Sequence, residues 1–218
     1  MNSDETIKQR IVDYTSWDNR IDGSKITVKV NQGNVLLEGS INTYNTSRLL
    51  YHFARLYTGA KSVKANLIVK YAIPQPADAE ITSSIENSIK WDSALIGNHL
   101  KVTTVNGHVT LSGDIDAFWK KQLAEKRAAS IVGVKDIKNE LSIVHSKKVS
   151  DEELSKSLVN AMKANRFIDI TNININVENA NVNLTGTVRS FMEREEIYRV
   201  VLYAFGVNSV ENSIDIAP

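Results

Sequence analysis

The sequence predicts an α+β fold built from three tandem two-layer α/β sandwich domains, each with a three-stranded sheet covered by two helices. Two observations lead to this prediction. The chain repeats itself with a period of about 74 residues, and each copy shows the same order of hydrophobic periodicities. A sheet with one apolar face needs helices to cover it, and each copy contains two predicted helices.

The repeat is marked by glycines at nearly constant distances. Gly39, Gly113 and Gly186 are each preceded by the pattern V-x-L-x-G. A second glycine follows each of them at the same distance, and these second glycines are Gly59, Gly133 and Gly206. The agreement of the three copies at this many positions identifies three structural units.

Each copy begins with a helix. Apolar residues recur at i, i+4 and i+8, for example Ile81, Ile85 and Ile89 in the second copy. This spacing places them on one helix face. In the third copy, Ser150 and Glu153 form a capping box at the expected first residue of the helix.

Two strands, a second helix and a last strand follow. Alternating apolar residues on both sides of Asn106-Gly107 predict a hairpin, and Gln32-Gly33 and Asn179-Ala180 stand at the corresponding turns. A helix of about fifteen residues then extends to the second glycine, which is a natural residue just beyond a helix end. The predicted order is therefore helix, strand, strand, helix, strand.

The expected domains are residues 1–72, 77–146 and 149–218. The segment Ala72–Pro76 contains two prolines and predicts a short, stiff spacer. A unit of about 73 residues is close to the lower limit for an independently stable core. We therefore expect contacts between neighbouring repeats.

The repeat resembles the BON domain family. The resemblance is carried by V-x-L-x-G-x-[IV], an aromatic residue five positions after the glycine, an alanine-bearing helix and G-V-x-x-[IV]-x-N-x-[LI]. The second copy matches best, over VTLSGDIDAFWKKQLAEKRAASIVGVKDIKNEL. The third copy matches through VNLTGTVRSF and GVNSVENSI. The first copy departs from the pattern at Gly59-Ala60 and Ala65. The resemblance implies a bacterial protein of osmotic or envelope stress that binds phospholipid surfaces or other proteins, with no shared catalytic residue set.

The composition and the absence of known catalytic motifs exclude several kinds of chemistry. The chain has no cysteine, which excludes disulfides and thiolate chemistry, and no apolar run approaches the ~18 residues of a membrane span. No nucleotide-binding, zincin or nucleophile-elbow motif is present. The dispersed histidines predict no metal site, and Asp114 and Asp116 are interpreted as a solvated strand end. We expect neither catalysis nor a cofactor.

The first ten residues do not resemble a secretory signal, so the expected location is the cytoplasm, or the periplasm if a signal was removed.

The net charge of +1 conceals a gradient along the chain. Residues 1–75 carry ten basic and six acidic residues (+4), 76–147 carry nine of each (0), and 148–218 carry seven and ten (−3). The basic first repeat and acidic third repeat predict a head-to-tail contact within or between chains, including an oligomer; the alternative is a charge drift with no partner. Nucleic acid is not an expected partner, because no basic run with interleaved aromatics is present.

Aromatic residues at repeated positions predict structural roles. Tyr44, Phe118 and Phe191 stand five positions after the first glycines and are expected to close the core at the start of the second helix. Trp-Asp steps begin at Trp17 and Trp91, one repeat apart, and the third repeat has Ala164 at this position. The repeated step is expected to anchor the helix end in the core.

The predicted binding surface lies on the second helix of the middle repeat. Trp119 has no aromatic counterpart at Asn45 or Met192, so the fold does not require it. Helical spacing predicts a stripe of apolar and basic residues: Trp119, Lys120, Leu123, Lys126 and Arg127. Such a stripe suits an anionic lipid surface, a protein partner, or burial by a neighbouring repeat. The predicted function is non-enzymatic binding to anionic membranes; the alternative is a protein-interaction or chaperone-like (holdase) module without lipid binding.

Overall fold

A computed structural model describes residues 3–71 and 74–216 of the chain. These residues form six α-helices and nine strands. The helices are α1 (Asp4–Trp17), α2 (Tyr44–Tyr57), α3 (Asp78–Lys90), α4 (Phe118–Ala129), α5 (Asp151–Ala164) and α6 (Phe191–Leu202). The strands are β1 (Ile26–Asn31), β2 (Asn34–Ile41), β3 (Ser62–Val69), β4 (His99–Val105), β5 (His108–Ile115), β6 (Asp136–Ile143), β7 (Ile173–Glu178), β8 (Asn181–Val188) and β9 (Ser209–Ile216).

The strands form three three-stranded sheets in the orders β1-β2-β3, β4-β5-β6 and β7-β8-β9. In the first sheet, β1 and β2 are antiparallel with Val28 opposite Leu37, and β2 and β3 are parallel with Leu37 opposite Ala65. The third sheet has the same register, with Ile175 opposite Leu184 and Leu184 opposite Asn212. The predicted fold class and element order are confirmed.

Each described core lies between the helices and the central strand. In the first repeat, Ile7 and Ile11 of α1 and Leu50 of α2 pack with Val35 and Leu37 of β2. In the third repeat, the equivalent cluster contains Leu154, Leu158 and Met162 of α5, Ile197 and Val201 of α6, and Leu184 of β8. The i, i+4, i+8 positions of the first helices are therefore the buried ones, as their spacing predicts.

The first glycine of each repeat lies where two backbone segments approach closely. Gly39, Gly113 and Gly186 have φ values of 129°, 110° and 123°. A β-carbon at Gly113 would lie 1.9 Å from the carbonyl oxygen of His99, and the other two positions give 2.0 Å to the equivalent oxygen. No other residue fits there without movement of the backbone.

An aspartate in the first turn of each repeat's first helix holds the hairpin turn. Asp78 accepts hydrogen bonds from the backbone N–H groups of Asn106 and Gly107, at 2.7 and 2.9 Å. Asp4 and Asp151 make the same pairs of bonds to the other two turns. The turn residues have positive φ, including Ala180 at 62°. The carboxylate supports these turns even where the second position is not glycine.

The described chain forms two compact units, and the middle repeat contributes to both. The first comprises residues up to Ile96 together with Lys101–Leu111 and Glu125–Glu140. The second comprises Gly97–Leu100, Ser112–Ala124 and the residues from Leu141 onwards. Of the expected domain boundaries, residues 1, 72 and 218 lie outside the described residues, as does the first part of the spacer Ala72–Pro76.

Candidate functional site

The predicted stripe on α4 is largely engaged with other side chains. The Trp119 ring is half-buried, and its centroid lies 5.9 Å from that of Tyr203 at an interplanar angle of 46°. Tyr203 belongs to the third repeat. Trp119 thus packs against a neighbouring repeat, which is one of the three alternatives that the sequence leaves open.

The cations of the stripe differ in their surroundings. The Lys120 ammonium lies 2.8 Å from the carboxylate of Asp116 and 5.6 Å from the Trp119 ring centroid. Arg127 Nε lies 2.7 Å from Asp92 Oδ2, and this guanidinium holds the pKa of Asp92 below its ordinary value. Lys126 is exposed and Leu123 is half-buried. The structure therefore does not assemble the five residues into one open apolar surface.

Two of the three aromatic residues at the start of the second helices, Tyr44 and Phe118, contact the following repeat. Phe118 is buried in the core cluster that contains Leu154, Val201 and Ile214 of the third repeat. Tyr44 lies close to Asp136 and to the backbone of Ile137 in the middle repeat. Burial, followed by the charge of Asp136, raises the pKa of Tyr44.

Each Trp-Asp step exposes one residue and buries the other. Trp17 and Trp91 are 81% and 83% exposed, so the prediction that the step anchors the helix end in the core is wrong for the tryptophans. The aspartates turn inward instead. Asp18 accepts two hydrogen bonds from the Arg20 guanidinium, at 2.8 and 2.6 Å, and Asp92 accepts one from Arg127. In each step the aspartate is held in an ion pair, and the preceding tryptophan is exposed.

The third repeat also exposes an aromatic residue beyond its first helix. Phe167 is 58% exposed, and the Arg166 guanidinium carbon lies 4.6 Å from its ring centroid. We call Trp17, Trp91 and Phe167 the helix-end aromatics. In the middle repeat, Ile96 adds a second large exposed apolar side chain to the same loop. The repeated Trp-Asp step marks two of these positions in the sequence, but the pattern does not show which of its two residues faces inward.

The histidines and aspartates that could serve as metal ligands or acid/base groups lie apart from one another. Asp116 pairs with Lys120, and His145 Nε2 lies 2.9 Å from Asn208 Oδ1. Among the described residues, no group of three or more His, Cys, Asp or Glu side chains has a metal-binding arrangement. In the same part of the chain, no helix is long and apolar enough to cross a membrane.

The BON domain matches the chain three times, over residues 3–71, 77–145 and 150–218. The chain therefore belongs to the BON domain family, with three copies in tandem. It is 31% identical over 140 residues to osmotically-inducible protein Y of Escherichia coli (strain K12), and the match covers 62% of this chain and 68% of that protein.

Two solved structures show weak overall likeness. One is CdsD, a structural protein of the type III secretion system of Chlamydia trachomatis, with 14% identity and a TM-score of 0.28 over 96% of this chain and 91% of that chain. The other is the periplasmic domain of the type III secretion inner-membrane protein PrgH from S. typhimurium, with 8% identity and a TM-score of 0.23 over 89% and 95%.

Proposed function

We propose that this chain is a non-enzymatic BON protein of osmotic or envelope stress that binds anionic phospholipid surfaces through its helix-end aromatics. Its family and its relative, osmotically-inducible protein Y, support a non-enzymatic stress role. We take the three matched segments to be three domains, with boundaries at 1–72, 77–146 and 149–218. The observation that carries the lipid-binding proposal is the exposure of Trp17 and Trp91 at equivalent positions.

Tryptophan suits a membrane interface because its large apolar ring also carries a polar N–H group. A single exposed apolar residue is ordinary on a protein surface. Two tryptophans projecting at the same position of successive repeats, one of them accompanied by exposed Ile96, are harder to explain by chance. The first repeat has a net charge of +4, which adds electrostatic attraction to anionic headgroups.

The α4 stripe remains a second candidate surface for the same function. Its exposed members are Lys126 and Arg127, whereas Trp119 and Leu123 are half-buried. A lipid contact there would use the two cations and would require Trp119 to leave Tyr203. We therefore rank the helix-end aromatics first and test both surfaces in one experiment.

The chain contains three tryptophans, and this allows each surface to be read separately by fluorescence. Trp119→Phe leaves only the two helix-end tryptophans, and Trp17→Phe with Trp91→Phe leaves only Trp119. Each protein is mixed at low salt with vesicles of phosphatidylglycerol and phosphatidylcholine, and with phosphatidylcholine vesicles alone. We expect a blue shift of emission for the first protein with anionic vesicles and no shift for the second.

Sedimentation with the same vesicles supplies the binding measurement. We expect Trp17→Ala with Trp91→Ala to lose binding, and Trp119→Ala with Lys126→Glu to keep it. The reverse pattern would assign the contact to the α4 stripe. If the unmodified chain stays in the supernatant at low salt, the lipid proposal fails; suppression of client aggregation in that case would favour the holdase alternative.

A further inference from the structure

Successive repeats are joined through the same positions in both compact units. In the first unit, Tyr44 at the start of α2 lies against the backbone of Ile137, at the start of β6. Tyr71, which follows β3, donates a hydrogen bond of 2.6 Å to the carbonyl oxygen of Val134. The contact therefore joins the start of one repeat's second helix to the segment that begins the last strand of the next.

In the second unit, the equivalent residues make the equivalent contact. Phe118, which stands one repeat after Tyr44, packs into the core of the third repeat. His145, which stands one repeat after Tyr71, contacts Asn208 at 2.9 Å and the Phe205 ring at 5.6 Å between centroids. We call the side that contains the start of the second helix the forward face, and the side that contains the end of the second helix and the start of the last strand the receiving face.

The forward face of the third repeat includes a large exposed apolar side chain. Met192 occupies the position of Trp119 and is 72% exposed. Glu195 occupies the position of Arg48 and Gln122, and it is half-buried on the same helix. Pro218, which corresponds to Tyr71 and His145, lies outside the described residues.

The first repeat presents a basic receiving face. Arg55 corresponds to Ala129, which is buried, and Lys61 corresponds to Lys135. Both Arg55 and Lys61 are exposed. The charges of Arg55 and Lys61 are opposite in sign to that of Glu195 on the third repeat's forward face.

The contact between the first and middle repeats includes an ion pair. Arg48 on the forward face pairs with Glu125 on the receiving face at 3.0 Å, and both side chains are mostly buried. The position of Glu125 is Tyr51 in the first repeat, one turn before Arg55 on the same helix face. On the third repeat the forward position holds Glu195, an acid in place of Arg48, and the cation nearest to its partner position on α2 is Arg55, one turn further along.

We propose that the forward face of the third repeat binds the receiving face of the first repeat in a second copy of the chain. Met192 is the apolar anchor of this contact, and Glu195 faces the side of α2 that carries Arg55. The net charges of −3 for residues 148–218 and +4 for residues 1–75 favour this pairing over contacts between like repeats. The contact joins two different faces, so each added copy offers a further free face until the assembly closes into a ring.

Sedimentation velocity of the full chain over a concentration series tests the proposal. We expect reversible association at concentrations up to about 1 mM, where even a weak contact is populated, and less association at high salt. A chain that stays monomeric over the whole series would overturn the proposal.

Variants on the two faces separate head-to-tail association from other modes. Met192→Asp with Glu195→Arg removes the apolar anchor and the acid of the forward face. Arg55→Glu with Lys61→Glu removes the two cations of the receiving face. We expect each variant alone to lose association by at least about tenfold. An equimolar mixture retains one intact pair of faces and should form a heterodimer that grows no further.

Charge reversal supplies the matched controls. Glu195→Arg and Arg55→Glu should each weaken association, and the chain that carries both changes should recover it. Glu178→Arg and Lys8→Glu make the same charge changes at exposed positions on other elements, β7 and α1, and should leave association unchanged. Equal effects of the control and face variants, or failure of the mixture to form a heterodimer, would contradict the assignment.

Discussion

The middle repeat carries two tryptophans with opposite surroundings. Trp91, just after α3, projects into solvent, whereas Trp119 at the start of α4 packs against Tyr203. The residue next to each tryptophan is more deeply buried. Asp92, which follows Trp91, lies inward and pairs with Arg127. Phe118, which precedes Trp119, packs in the core of the third repeat. The burial of an aromatic residue here depends on the repeat that follows it and on its charged neighbour, more than on its own helical periodicity.

The largest effect is expected at Phe118. Phe118→Ala leaves a cavity in a cluster shared with the third repeat and should cost about 3–5 kcal/mol of unfolding free energy. Urea unfolding followed by circular dichroism measures this change. Phe118→Leu is the control and should cost less than about 1.5 kcal/mol. A cost below about 1 kcal/mol for the alanine variant would mean that Phe118 does not join the repeats.

The second largest effect is expected at Asp92. Asp92→Asn removes a charge-assisted hydrogen bond to Arg127 and should cost about 1–3 kcal/mol near neutral pH. The pKa of Asp92 is lowered in the folded state, so its contribution is present above the pKa of the unfolded chain and is lost as pH falls through the lower folded value.

The pH dependence tests this assignment. The difference in unfolding free energy between the unmodified chain and Asp92→Asn should be full above about pH 5 and should shrink below about pH 4, near the ordinary pKa of aspartate. Arg127→Gln should remove most of the same dependence, whereas Lys126→Gln, one position earlier on α4, should not. A difference that does not vary with pH would contradict the ion pair.

A smaller effect is expected at Trp119. Trp119→Ala removes a half-buried ring and its contact with Tyr203, and it should cost about 1–2 kcal/mol. In a double-mutant cycle with Tyr203→Ala, the coupling energy should be about 0.5–1.5 kcal/mol. Strictly additive single changes would show that the two rings lie near each other without stabilising the chain.

The fold follows from the sequence because its elements show clear local periodicity, which recurs in all three repeats. Ile81, Ile85 and Ile89 are buried as their spacing predicts, and the turn at Asn106-Gly107 closes the expected hairpin. These features depend on local periodicity, which a single copy already contains. The aspartates at 4, 78 and 151 recur with the period of the repeat too, but their bonds to turns 28 and 29 residues away depend on tertiary structure.

The candidate site was harder to predict for a physical reason. Trp91-Asp92 can place either residue inward, and the partner that holds Asp92, Arg127, lies 35 residues further along the chain. The exposure of Trp119 depends on Tyr203, which belongs to another repeat. Periodicity reports which residues share a face of an element, and it does not report what covers that face.

The smallest effect on stability is expected at Trp91, and it completes the comparison with Trp119. Trp91→Ala removes a ring that is 83% exposed, so the unfolding free energy should change by no more than about 0.5 kcal/mol. The same substitution should weaken sedimentation with anionic vesicles, because the lost ring contributes at the membrane interface rather than in the folded core. Trp119→Ala should show the opposite pair of results, a lower stability and unchanged vesicle binding. A stability loss at Trp91 equal to that at Trp119 would mean that the exposed ring has a structural partner, and the contrast between the two positions would no longer support a binding role for the helix-end aromatics.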